Sequence, residues 1–277
     1  MSVPAVDPRL VAEQPGLAGA VRDLKRKVTQ GELGQIPVIL GLIGVWIYFQ
    51  LNNDRFLSAS NLTNLMLQIA AVGTISVGIV LILLLGEIDL SVGAVSGLCA
   101  AVMAVLNVRH GWGAPLAIGA AIVTGMVVGV IHGIWVTRFR VPAFIVTLAG
   151  LLAWQGALLR VLGKQGSINL TDQGIANVAN TFYGKAVSWI VTIGVAALYA
   201  GVLYLGHRRR VAAGLPAEST RGMWIRIGFA AAFAVILGLV FTKDRGLPLA
   251  VVIFVGIVAL VDLVLMRTRY GRHLFAV

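Results

Sequence analysis

Two carboxylates, Glu87 and Asp89, stand between long apolar runs in Gly86-Glu87-Ile88-Asp89-Leu90-Ser91-Val92-Gly93. A charge at the middle of a bilayer costs about 2.5–3.5 kcal/mol on insertion scales, so acids in such a place mark a solute or ion path. On that reading the segment is a broken-helix element lining a translocation path, and Gly86, Glu87, Asp89, Ser91 and Gly93 are its residues. The same spacing also fits an ordinary hairpin on the cytoplasmic side, with Ser91 or Asp89 capping the helix that starts near Leu90.

Other polar groups are sparser. Gly125, Gly129 and Gly133 recur every four residues and form one small-residue stripe on a helix. Such a stripe lets a neighbouring backbone approach closely, which predicts helix packing; lining of a pore is the alternative. Gln68, Thr74, Ser76, Thr124 and Thr147 lie inside apolar runs, where hydrogen bonds between helices are expected. Asp262 precedes Arg267 and Arg269 and suits a local ion pair, or a proton relay. His132 is expected to reach the membrane interface.

No G-x-x-x-x-G-K-[ST] occurs, so the sequence offers no P-loop for ATP, and H-E-x-x-H and G-x-S-x-G are also absent. The four histidines are scattered, and no Cys/His cluster suggests a metal site. These absences argue against an enzyme: no catalytic, cofactor-binding or metal-binding residue is assigned. The single cysteine, Cys99, excludes an internal disulfide and reads as a small buried residue.

The elements that must position these groups are set by composition. Of 277 residues, 58% are hydrophobic and only 12% charged, too little polar surface to cover a soluble core. Spanning helices need about 20 apolar residues. Eight such spans are predicted, near 33–51, 65–85, 90–107, 115–136, 142–162, 186–206, 224–241 and 248–266, giving an all-α polytopic membrane protein. Residues 1–32 form a polar N-terminal tail, and 33–277 the transmembrane domain. The net charge of +11 reports loops facing anionic lipid and not nucleic acid. With the N-terminus inside and the spans alternating, 15 of the 22 Lys and Arg residues fall on the inner side. The polar stretch 163–185 then lies outside, and the basic loop around His207-Arg208-Arg209-Arg210 inside.

Four stretches in order resemble one family. Glu87-Ile88-Asp89-Leu90-Ser91-Val92-Gly93 is similar to the G-I-D-L-S-V-G signature of ribose/xylose-type ABC sugar permeases. Phe56-Leu57 with Asn61-Leu62, then Val141 to Leu148, then Arg267-Thr268-Arg269-Tyr270-Gly271-Arg272, match further stretches of that family. Glu87 stands where many members carry Gly. The basic loop and extra span of residues 207–247 resemble the xylose subgroup most.

The resemblance implies an ABC importer permease-like helical bundle in the bacterial cytoplasmic membrane. It implies a second permease copy, a cytoplasmic ABC ATPase that binds the ATP, and an extracytoplasmic sugar-binding protein. Arg269, Gly271 and Arg272 would lie in the segment facing the ATPase. The family's coupling run follows that segment, so the chain reads as a permease shortened at its C-terminus. The implied function is import of a monosaccharide, a pentose such as xylose, by ATP-driven alternating access. The rivals are a proton-coupled secondary transporter using Glu87, Asp89 or Asp262, and a non-transporting permease fragment.

Overall fold

The computed structural model describes residues 36–215 and 219–275; the N-terminal tail assigned to 1–32 lies outside them. Two compact units divide the chain at Ser58.

The first unit contributes α1 (Ile36–Asn52). The chain leaving it turns back on its end. Phe56 stacks on Phe49 at a centroid distance of 5.5 Å, and meets Trp46 edge-on at 6.1 Å. The Leu57 N–H donates to the Gln50 side-chain oxygen at 2.9 Å, fixing the turn.

The second unit runs from Ala59 and holds α2 (Ala59–Leu83), α3 (Val92–Ala104), α4 (Ala114–Thr137) and α5 (Ala143–Leu162). A short α6 (Gln173–Asn180) and strand β1 (Phe182–Tyr183) follow, then α7 (Lys185–Ala212), α8 (Thr220–Lys243), strand β2 (Leu247–Pro248), α9 (Leu249–Arg267) and α10 (Arg269–Leu274). Seven helices of this unit are long and apolar enough to cross a membrane, counting α3 with the π-helical turn Val105–Arg109 that extends it. With the 17-residue apolar α1, the described residues hold eight apolar helices, and their positions agree with the sequence reading.

Much of the apolar surface is not covered by protein. Of α9, the most apolar span, no residue is buried. Lipid is the solvent such a surface requires, and helices are the form in which every backbone group is satisfied there. Among the described residues, about half of the buried apolar side chains are alanines. Ala94, Leu98, Ala101 and Ala104 form a buried stripe on α3, which packs between α4 and α5. Elsewhere α7 pairs with α8, and α2 packs against α9.

Glycine enables the closest of these contacts. A Cβ added at Gly238 would come within 2.5 Å of the Trp189 ring, and one at Gly73 within 2.7 Å of Phe254. The predicted stripe behaves otherwise. A Cβ at Gly125 would touch Cys99 Sγ at an ordinary 3.4 Å, and one at Gly129 or Gly133 would meet nothing within 4 Å.

Three of the five polar groups inside the spans are satisfied differently from expectation. Thr74, Ser76 and Thr124 donate to the carbonyl four residues back on their own helices, at 2.7, 2.9 and 2.8 Å. A hydroxyl one turn along a helix finds that carbonyl with no partner helix needed, which is why the bonds between helices were not required. Asp262 is exposed on α9 and forms no ion pair with Arg267 or Arg269 among the described residues. Five residues along α9 put Asp262 and Arg267 on different faces, Arg269 lies beyond the helix on α10, and a surface pair has little energy to hold it.

Candidate functional site at the break between two spans

The Gly86–Gly93 segment interrupts the apolar run between α2 and α3. The N–H of Glu87 donates to Ile82 O at 3.3 Å, and that of Gly86 to Leu83 O at 3.0 Å. This pair of bonds is a Schellman closure, with Gly86 in the left-handed position at φ +74° that glycine adopts without strain. The next helical residue is Val92. Ser91 occupies the N-cap position, but its hydroxyl does not cap α3. It donates to Asp89 Oδ1 at 2.6 Å, and the Ser91 N–H donates to the same oxygen at 2.7 Å. Asp89 thus holds an Asx turn at the helix start. Its Oδ2 has no hydrogen-bond partner among the described residues.

The break is sunk below the helix ends around it. Thr147, four residues into α5, donates to Ile88 O at 3.3 Å. Four residues correspond to about 6 Å along a helix axis. Ser91 is fully buried there, while Asp89 is half-buried and Glu87 exposed.

Asp89 faces a cavity of about 350 Å³ walled by α2, α3 and α4. Its lining includes Thr74 and Gly78 from α2, Ser96 from α3, and Gly125, Gly129 and His132 from α4. The acid and two members of the glycine stripe therefore meet at one space, which the sequence had kept as two separate features. Gly133 is outside that lining. His132 does not reach for the interface: its Nε2 accepts from the Trp154 indole N–H on α5 at 2.8 Å. That bond leaves the proton of the neutral ring on Nδ1. Nothing in the spacing of one histidine and one tryptophan, 22 residues apart on two helices, signalled this pair. A larger cavity of about 630 Å³ between α7, α8 and α9 is lined mainly by apolar side chains and offers little for polar chemistry.

At the opposite end of the spans the chain is clasped. β1 and β2 pair antiparallel, Phe182 against Pro248 and Tyr183 against Leu247. Arg245 lies over the Phe182 ring at 4.4 Å and donates to Asn64 Oδ1 on α2 at 2.5 Å. Asn107, in the π-helical turn, donates to Trp112 O at 2.8 Å and to Asp172 Oδ2 at 2.9 Å. Asp172 caps α6 through its other oxygen, which accepts from the Gly174 N–H at 2.6 Å. The Asn107 amide, aided by the Gly174 and Ile175 N–H groups, holds the Asp172 carboxyl below the usual carboxylate range.

At the break end, α10 folds against the end of α9. Thr268 caps it, accepting from the Gly271 N–H at 3.4 Å. Gly271 is buried where a Cβ would overlap the Leu265 carbonyl, and Arg269 and Arg272 are exposed.

Comparison with known proteins decides the class of this arrangement. Residues 61–277 match the family described as the permease component of the branched-chain amino acid transport system. The chain belongs to that permease family. Its apolar helices of membrane-spanning length fit that family. It is 32% identical to the xylose transport system permease protein of Escherichia coli K12, over 87% of this chain and 61% of the relative. The corresponding protein of Haemophilus influenzae is 30% identical over 87% of this chain and 64% of the relative. The fructose import permease protein of Rhizobium meliloti is 32% identical over 43% of this chain and 32% of the relative. The chain thus spans a little over three-fifths of the length of the xylose permeases it matches. No solved structure matches it significantly.

Proposed function

We propose that this chain is the transmembrane permease subunit of an ABC importer for a monosaccharide, a pentose such as xylose. Sugar passes from an extracytoplasmic binding protein, through a pair of permeases, to the cytoplasm, driven by ATP bound on two partner ATPases. The observation that carries this reading is the similarity to xylose permeases over 87% of the chain. Relatives named for fructose and for autoinducer 2 match less of it, which favours the pentose.

The basic residues support an orientation. Arg138, Arg140, Arg208 to Arg210, Arg267, Arg269 and Arg272 gather at the break end, which faces the cytoplasm in this reading. Exposed Arg269 and Arg272, on a short helix seated by Gly271, are placed to meet the ATPase. The clasped end, with the 163–185 stretch, faces the binding protein. The break at 86–93 lies beside the path, and re-packing of α2, α3 and α4 around it opens the path to alternate sides.

The test is uptake of labelled sugars by vesicles holding the permease with its ATPase and binding protein. Xylose uptake requiring ATP, competed by unlabelled xylose better than by fructose, is the expected result. Preferential uptake of fructose would remove the pentose assignment, and no uptake of any monosaccharide would remove the importer reading.

A further inference from the structure

The geometry points to a sugar-binding station inside the permease itself, in the cavity between α2, α3 and α4 that Asp89 and His132 both line. This inference rests on the importer reading above and adds a place where the sugar is held in transit.

Three observations carry it. First, Asp89 uses one carboxylate oxygen for the Ser91 turn, and its Oδ2 has no partner among the described residues, although the group sits below the helix ends. That oxygen belongs to a half-buried residue lining the cavity, where it can accept from a sugar hydroxyl. Second, the Trp154 indole fixes His132 with Nε2 as an acceptor already used, so the ring's remaining hydrogen-bonding atom is a donor on Nδ1. An acceptor and a donor lining one cavity suit hydroxyl groups, which do both. Third, the space is there. Glycine at 129 leaves room that no neighbouring atom fills within 4 Å, and the cavity of about 350 Å³ lies at the small end of the roughly 300–1,000 Å³ of ligand pockets. That size suits a monosaccharide and not an oligosaccharide.

The stripe therefore has two uses. Gly125 lies against Cys99 on α3, and Gly129 keeps the cavity open. A Gly129→Leu side chain would fill the cavity without a clash at its Cβ. Gly133 has equally open surroundings but does not line the cavity, so Gly133→Leu is the matched control.

The test has two arms on the full chain. In the first, Gly129→Cys is introduced into a Cys99→Ser background, and labelling by a thiol reagent is measured in detergent with and without xylose, no ATP being needed. Xylose is expected to slow labelling at least about threefold, while mannitol at the same concentration does not. In the second, sugar uptake is measured in the reconstituted system. Gly129→Leu and Asp89→Asn are expected to lower uptake about tenfold or more, the size expected for loss of a hydrogen bond to a charged group. Gly133→Leu is expected to stay within about twofold of wild type. Protection without ATP-dependent uptake would keep the station and overturn the importer reading. Wild-type uptake with no protection, and with Gly129→Leu unimpaired, would overturn the station and leave the importer reading standing.

Discussion

At the residue scale, most of what holds the ends of this molecule together is done by single side chains with more than one partner. Asp172 joins α6 to the π-helical turn through Asn107. Its ionised form is the bonded one, so its folded pKa lies below the unfolded value of about 3.9. The stabilisation is fully present above that value and is lost as pH falls through the folded pKa. Thermal melts of the purified protein should show no loss from Asp172 between pH 7 and 5. Asp172→Ala should melt at a lower temperature across that same range; an unchanged melting temperature would mean the clasp contributes nothing.

Gly246 is the other residue with a sharp expectation. It sits at φ +106°, and a Cβ there would overlap the Tyr183 carbonyl. Gly246→Ala should cost about 1–3 kcal/mol, read as a lowered unfolding midpoint. Gly129→Ala, with open space, should be near neutral by the same measurement. None of these roles was legible in the sequence, because each depends on a partner distant along the chain. Arg245 and Asn64 are 181 residues apart.

At the element scale, the apolar spans were legible nearly to their ends, since about 20 apolar residues in a row have few other uses. The sequence reading of 115–136 and 142–162 compares with α4 at Ala114–Thr137 and α5 at Ala143–Leu162. The largest differences, about six residues each, are the start of α2 at Ala59 and the end of α7, which runs on to Ala212 through Arg208, Arg209 and Arg210. Hydropathy reports the part of a helix that meets lipid, and a helix does not stop where the lipid does. The two-residue strands left no trace, being too short to show a period of two. The glycine stripe was misleading for a physical reason: spacing shows that small residues share a face, not what lies opposite it.

The break between α2 and α3 was visible from its glycine and acids, but its depth was not. Depth is set by the bond from Thr147 to Ile88, on a helix 59 residues away. Thr147→Val should loosen that attachment at a cost of about 0.5–1.5 kcal/mol, toward the lower end for a bond of 3.3 Å. Faster amide exchange at residues 87–92 is the expected signature; unchanged exchange would show that the break is held by packing alone. Gly86→Val, forced into the left-handed region, should have the larger effect, about 1–2 kcal/mol.

At the scale of the whole molecule, the spans of the second unit have two ends that differ in build. The clasped end is tied by an antiparallel strand pair, a cation over an aromatic ring, and a capped short helix. The break end is basic and carries the buried turn of Asp89 and Ser91. The family match agrees with the resemblance that the four stretches carried, while the sugar itself leaves no mark that residue types alone could give. A hydroxyl-rich ligand is recognised by acceptors and donors that many solutes share.

The central claim is that sugar crosses this permease at the expense of ATP and not of a proton gradient. The most direct measurement is labelled xylose uptake by vesicles containing the permease, ATPase and binding protein, with ATP and a protonophore each added or withheld. Uptake that requires ATP and persists when the protonophore is present is the predicted result. Uptake without ATP that the protonophore abolishes would contradict it, and would hand Asp89 to a proton relay.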